Sequence, residues 1–181
     1  AFLGLHNTMP LMHGSQGCTS FGLVLLVRHF KEAIPMQTTA MNEVSTILGG
    51  MDNIEKALLN IKKRANPSLI AIASTGLTET KGDDVDGYLR LIRAKHGDEL
   101  AGTEVVYVST PDYVGAFEDG WAAAVKALVE AFVKPVSAPV AGRIGVLPGA
   151  HLTPADLEEV RELIEAFGLD AVLVPPPSPP L

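Results

Sequence analysis

The string His13-Gly14-Ser15-Gln16-Gly17-Cys18 sets the chain's one cysteine just ahead of a helix predicted over Phe21–Ala33. A thiol at a helix start has its thiolate stabilised by the helix dipole. Thiolate is the form that binds soft metals and iron–sulfur clusters. A small buried cysteine in a tight glycine turn accounts for the same residues. The other titratable groups read as structural. His13 ends an apolar run and His29 sits mid-helix beside Arg28, where histidines usually serve as hydrogen-bonding residues. Glu79, Asp83 and Asp84 could suggest a metal site, but acids at a helix start explain Asp83 and Asp84 more simply. Asp112 follows Pro111 as a turn-former. Trp121 falls on a helical apolar stripe and reads as core. No G-x-S-x-G, P-loop or G-x-G-x-x-G string occurs, so the simple hydrolase, NTPase and dinucleotide signatures are absent.

The elements that must position these residues alternate. Leu69–Ser74 is a continuous apolar run, expected of a strand buried on both faces. Residues 104–109, 143–147 and 171–174 read likewise, with weaker candidates at 8–12 and 36–39. Between them lie four punctuated helices. Asp52 with Glu55 predicts a capped start, Ile54, Ala57, Leu58 and Ile61 an apolar stripe, and Asn66-Pro67 a stop. Asp83 and Asp84 open a second helix with stripe Val85, Tyr88, Leu89 and Ile92. A third carries Trp121, Val125, Leu128, Val129 and Phe132. The fourth opens at Thr153-Pro154 and carries Leu157, Val160, Ile164 and Phe167. This alternation predicts an α/β fold, Rossmann-like, with mostly parallel sheet. The predicted organisation is a first α/β domain over 1–134, a Pro- and Gly-containing linker over 135–142, and the start of a second α/β domain over 143–181 with a polyproline-like end. Phe2-Leu3-Gly4 reads as mid-chain sequence, so the chain is expected to be truncated at both ends. Ligands of such sheets sit beyond the carboxyl ends of the strands. Four loops qualify: 13–18, 74–82, 109–115 and 148–153.

Composition narrows the function classes. The chain has 181 residues, 14 Lys plus Arg, 21 Asp plus Glu and a net charge of −7, without a basic tract, which disfavours nucleic acid as a partner. One cysteine excludes an internal disulfide and any site needing two thiolates from this chain. The longest strongly apolar run, 21–27, is far short of the roughly 20 residues of a membrane span. A cytoplasmic location is the default expectation.

Taken together, Pro10–Cys18, Arg28-His29-Phe30, Gly49-Gly50, Ser74–Glu79, Gly82-Asp83-Asp84 and Thr110–Gly115 resemble the nitrogenase component 1 family over nearly the whole chain. Within it the resemblance is strongest to the β-like subunit of a NifEN-type scaffold, which matures the iron–molybdenum cofactor. The resemblance implies a heterotetramer with a NifE-like α subunit, an interface iron–sulfur cluster, and docking of the nitrogenase iron protein. In the catalytic β subunit the cysteine of the H-G-S-Q-G-C string is a cluster ligand, which maps to Cys18. A second ligand there lies in an S-T-T-C string. Here its place is Gly76, which cannot ligate, and Asp112 stands where T-P-S-F has serine. A [4Fe–4S] cubane needs four ligands. The resemblance therefore implies one thiolate from this chain and three from the partner, with the cofactor precursor held mainly by the partner. Gly14, Ser15, Gly17, Gly76 and Asp112 would lie near the cluster, the glycines admitting backbone amides to the sulfurs. They equally suit tight turns. Ile47-Leu48-Gly49-Gly50 stands in place of a V-F-G-G string near the docking contact, making Leu48, Gly49 and Gly50 the docking candidates; a helix C-cap at Gly49 explains the glycines equally well. The expectation is a scaffold subunit, not catalytic alone. Two other readings stay open: the β subunit of a nitrogenase-like oxidoreductase (nitrogenase or dark-operative protochlorophyllide reductase), and a non-catalytic interaction fragment.

Overall fold

The computed structural model describes residues 1–26 and 35–175. Arg28-His29-Phe30, the second half of the predicted first helix and the proline-rich end from 176 lie outside the described residues. Asn7–Val114 form one compact unit, and Ala1–His6 group with the residues from Gly115 onward as another. The predicted linker at 135–142 does not coincide with this division, which falls 20 residues earlier.

The first unit is built on a parallel sheet of β1 (Thr8–His13), β2 (Gln37–Thr38), β3 (Leu69–Ser74) and β4 (Glu104–Val108) in the order β2-β1-β3-β4. β3 is flanked on both sides, and five of its six residues are buried, which is why its sequence is an unbroken apolar run. Ladder register puts Leu11 beside Ile72 and Ile70 beside Val105, so these side chains share a face. On that face lie Ile54, Leu58 and Ile61 of α3 (Met51–Ala65) and Val85, Leu89 and Ile92 of α5 (Val85–His96). Leu11, Ile54, Leu58, Ile70, Ile72 and Ile92 are fully buried. Each stabilises by about 1.5–3 kcal/mol through apolar burial.

Helix starts depart from expectation in informative ways. α1 begins at Gln16, not Phe21, so Cys18 lies inside its first turn. Gly50 is the N-cap of α3, leaving Asp52 as a first-turn acid and not a cap. Asp84 does cap α5, accepting from the Gly87 amide at 2.9 Å, but Asp83 turns inward instead. Two six-residue helices were not predicted. In α2 (Glu43–Leu48), the Asn42 side chain accepts from the Ser45 amide at 3.0 Å and the Ser45 hydroxyl accepts from the Asn42 amide at 2.9 Å. α4 (Gly76–Lys81) opens in the same way at Thr75 with Thr78 as its reciprocal partner and occupies the predicted 74–82 loop.

The second unit contains α6 (Phe117–Phe132), α7 (Pro154–Ala166) and a parallel pair, β5 (Arg143–Val146) and β6 (Asp170–Leu173). Thr153 caps α7, accepting from the Asp156 amide at 3.2 Å. The predicted stripe of α7 finds no core among the described residues: the helix has no buried residue, and Phe167 beyond it is exposed. α7 is paired with only a two-stranded sheet, too little to enclose an apolar layer. Trp121 is half-buried, its indole N–H donating to the Pro148 carbonyl at 2.9 Å. No helix among the described residues is long and apolar enough to cross a membrane.

Candidate functional site

Strand order reverses between β1 and β3, since each strand's next connection runs to the opposite edge. Such switch points leave a crevice beyond the strand ends. Here the ladder ends at the pair His13–Ser74, and beyond it the chain turns into α1, which carries Cys18, and α4, which begins at Gly76. The first loop is bound on two sides. The Gly14 amide donates to Thr39 Oγ1 at 3.0 Å, the Met41 amide donates to the Gly14 carbonyl at 2.9 Å, and Ser15 bridges Met41 in parallel. From β3 and α4, the Thr75 and Thr78 hydroxyls lie 2.9 and 3.2 Å from the His13 carbonyl. A Cβ on Gly14 would fall 2.3 Å from Thr75 Oγ1, so this glycine is required by packing within the chain.

His13 sits beneath the loop with no exposed surface. Its Nδ1 is 3.0 Å from Thr39 Oγ1 and its Nε2 3.1 Å from Asp83 Oδ2. The other Asp83 oxygen accepts from Lys81 Nζ at 2.5 Å and from the Tyr88 hydroxyl at 3.2 Å. Burial lowers the His13 pKa more than the neighbouring Asp83 carboxylate raises it, so the imidazole is neutral. Burial alone would raise that of Asp83, but the Lys81 ammonium and His13 hold it below the ordinary range. Gly50 closes the pocket: a Cβ there would lie 2.4 Å from His13 Cε1.

The other candidates are spread around this framework. Cys18 is half-buried, with Sγ 3.5 Å from Ser15 Oγ. Gly17 is exposed, and among the described residues an added Cβ would meet nothing nearer than 3.8 Å, so none of them demands glycine there. Gly76, the first residue of α4, is buried, and its Cβ would fall 2.0 Å from an oxygen of the exposed Asp112 side chain. The geometry thus brings positions 76 and 112 together. Leu48 is 80% exposed at the end of α2, beside exposed Val44 and Ile47. Gly49 is the helix C-cap at φ +116°, a conformation that favours glycine. A cleft of about 490 Å³ is lined by Ser15, Met41, Thr46, Ile47 and Leu77 among others, so α2 and the cysteine loop share one opening. Leu48 does not line it.

Glu79 is accounted for without a metal. It accepts from the Ser109 hydroxyl at 2.7 Å and the Tyr107 hydroxyl at 3.1 Å; burial would raise its pKa, but these bonds and Ser74 lower it. Tyr107, half-buried and facing that carboxylate, is pushed up to about 12. No group of three or more His, Cys, Asp or Glu among the described residues could hold a metal ion. The described residues therefore do not offer the ligand set of a whole cubane. The supporting residues Thr39, Asp83, Lys81 and Tyr88 were not identified from sequence. Their contacts join positions 2 to 70 residues apart, and the two that reach His13 span 26 and 70 residues, which no local pattern encodes.

A profile of the nitrogenase component 1 type oxidoreductases matches residues 1–181. The chain belongs to that family. It is 59% identical over 178 residues to the nitrogenase iron-molybdenum cofactor biosynthesis protein NifN of Bradyrhizobium diazoefficiens, covering 97% of this chain and 38% of that protein. The NifN protein of Mesorhizobium japonicum is 54% identical over 176 residues, with the same coverage. The chain thus spans about two fifths of the length of these curated relatives. A solved nitrogenase component 1 family structure, nitrogenase Cp1 at pH 6.5, superposes with a TM-score of 0.87 at 36% identity, over 96% of this chain and 37% of that one. A second, nitrogenase Cp1 at pH 5, shares the fold at TM-score 0.69 and 20% identity. The parallel α/β architecture expected of the family is the one observed.

Proposed function

We propose that this chain is part of the β-like subunit of a NifEN-type scaffold for iron–molybdenum cofactor biosynthesis, and that Cys18 supplies one thiolate to a [4Fe–4S] cluster shared with a NifE-like α subunit. The observation that carries this reading is a single thiol in the first turn of α1, beyond the end of β1, with glycine and not cysteine at position 76 beyond the end of the neighbouring β3. The names and identities of the NifN relatives support the biosynthetic role. When bound, such a cluster supplies one-electron transfer. The chain's own residues do the rest. Cys18 holds an iron, the first turn of α1 favours its thiolate, and Gly17 leaves room above the backbone. The remaining three ligands and the main hold on the cofactor precursor fall to the partner. The exposed ledge of Val44, Ile47 and Leu48 is the docking face for the nitrogenase iron protein, with Gly49 and Gly50 setting its end. The working location is cytoplasmic, as a heterotetramer of the full-length subunits.

A β subunit of a catalytic nitrogenase would need a second thiolate near Gly76, which this chain does not offer. The test is co-expression of the full-length subunit with its NifE-like partner, followed by iron analysis and EPR. The assembled wild type should carry a [4Fe–4S] signal and the subunit alone no stable cubane. Cys18→Ser should leave assembly intact and alter the signal. An unchanged EPR spectrum in Cys18→Ser would refute the ligand assignment. Stoichiometric iron on the isolated subunit would refute the shared cluster.

A further inference from the structure

We infer that His13 is a positioning residue for the cysteine loop, acting on Gly14 through the Thr39 hydroxyl while Asp83 selects the imidazole tautomer that permits it. The inference deepens the proposed function and rests on Cys18 being the cluster thiolate.

The donors and acceptors leave one consistent arrangement. Lys81 and Tyr88 both donate to Asp83 Oδ1, which leaves Oδ2 facing His13 Nε2. An ionised carboxylate only accepts, so the imidazole proton sits on Nε2. Nδ1 is then an acceptor, and the one group within reach is the Thr39 hydroxyl at 3.0 Å. With its proton committed to Nδ1, Thr39 Oγ1 presents a lone pair to the Gly14 amide at 3.0 Å. The resulting chain runs one way: Gly14 N–H to Thr39, Thr39 O–H to His13, His13 N–H to Asp83. With the proton on Nδ1 instead, the Thr39 hydroxyl could donate only to the Gly14 carbonyl at 3.3 Å, which already accepts from Met41. His13, Thr39 and the Asp83 side chain are 4% exposed or less, so no bulk water substitutes for a lost partner. Gly14 opens the short turn that leads into α1 and Cys18, and Gly50 packs against the Cε1–Nε2 edge of the ring. The ring is therefore fixed from below by Gly50, on one side by Asp83, and acts on the loop from the other.

The two nitrogens can be tested separately in the full-length subunit assembled with its partner. Asparagine can place an acceptor near the Nδ1 position and keep Thr39. Glutamine can reach the Nε2 position and keep Asp83. The readouts are the alkylation rate of the Cys18 thiol by iodoacetamide in iron-free protein, and the EPR spectrum of the iron-loaded complex. His13→Asn and Thr39→Ser should stay near wild type in both. His13→Gln and Thr39→Val should speed alkylation by about fivefold or more, the equivalent of one lost hydrogen bond, and shift the EPR g-values. Thermal unfolding of each variant runs alongside. If His13→Asn and His13→Gln are indistinguishable, or if Thr39→Val leaves both readouts at wild type, the inference is overturned. If only the EPR response is missing while alkylation separates the variants, loop positioning stands. In that case an EPR spectrum left unchanged by Cys18→Ser shows that the cluster assignment is the part that failed.

Discussion

Gly50→Ala turns the packing around His13 into a measurable cost. A Cβ at Gly50 would stand 2.4 Å from His13 Cε1, 2.8 Å from Nε2 and 2.9 Å from Asp83 Oδ2. Ordinary contact begins near 3.4 Å, so the ring must retreat by about 1 Å. It has nowhere to go: it is wholly buried and bonded at both nitrogens. Overpacking of this kind costs about 1–3 kcal/mol, and a hydrogen bond broken to a charged partner adds about 1.5–3 kcal/mol. The substitution also stiffens the unfolded chain, which returns about 0.4–1 kcal/mol. The expected net loss is about 2–6 kcal/mol. Trp121, the one tryptophan, lies in the other unit, so its fluorescence is the wrong probe. Amide hydrogen exchange by mass spectrometry on β1 and β3 peptides reads the correct unit. Their protection should fall by about 30-fold or more, since each 1.4 kcal/mol is tenfold. His13→Ala in the same chain should remove most of that additional cost, because the obstruction is the ring itself. Protection within about threefold of wild type, or a Gly50→Ala penalty that persists in His13→Ala, would show that the ring is not held as described.

Gly17→Ala should be neutral or stabilising by about 0.5–1 kcal/mol in the subunit alone, since helix interiors favour alanine and the space is open. In the assembled complex the same change should reduce iron retention if the cluster occupies that space, as iron analysis would show. Asn42→Ala removes the cap of α2 and should cost about 1 kcal/mol. Exchange should quicken in α2 and docking of the iron protein weaken, while the β3 peptides stay protected. His96 faces Glu99 Oε1 at 2.5 Å and Glu55 Oε1 at 2.9 Å, and these carboxylates, Glu99 foremost, raise its pKa above the ordinary 6.5. Its contribution is complete below pH 6.5 and is lost as pH rises through the folded value. His96→Gln should flatten that alkaline limb in denaturation midpoints measured across pH. His13 contributes the opposite limb, because burial lowers its pKa: stability falls as pH drops from 6.5 toward its folded value.

The central fold was legible because its signals are local. Leu69–Ser74 reads as a doubly covered strand, and Ile54, Leu58 and Ile61 recur at helical spacing, so burial follows from period alone. The six-residue helices α2 and α4 are too short to establish a period. Their caps at Asn42 with Ser45 and Thr75 with Thr78 were the available clue, but serine or threonine in place of Glu or Gln at the third helical residue disguised the motif. Asp83 was misread for a related reason. Beside Asp84 it looks like one of two helix-start acids, and only the folded chain reveals that it turns toward a histidine 70 residues away. Cys18 was legible as chemistry because it is unique. What surrounds it was not, since Gly14, Gly17 and Gly76 are identical in sequence yet differ in what excludes a side chain: buried threonine, nothing among the described residues, and an exposed carboxylate, respectively.

The last paired residues of β1 and β3, His13 and Ser74, mark where the strand framework stops. Cys18 and Gly76 both hang beyond that point, so exchanging either residue leaves every ladder hydrogen bond in place. The inventory of donors at the crevice is therefore separable from the scaffold that presents it. A lineage could gain or lose a thiol here by single-codon steps, each leaving the sheet unaltered.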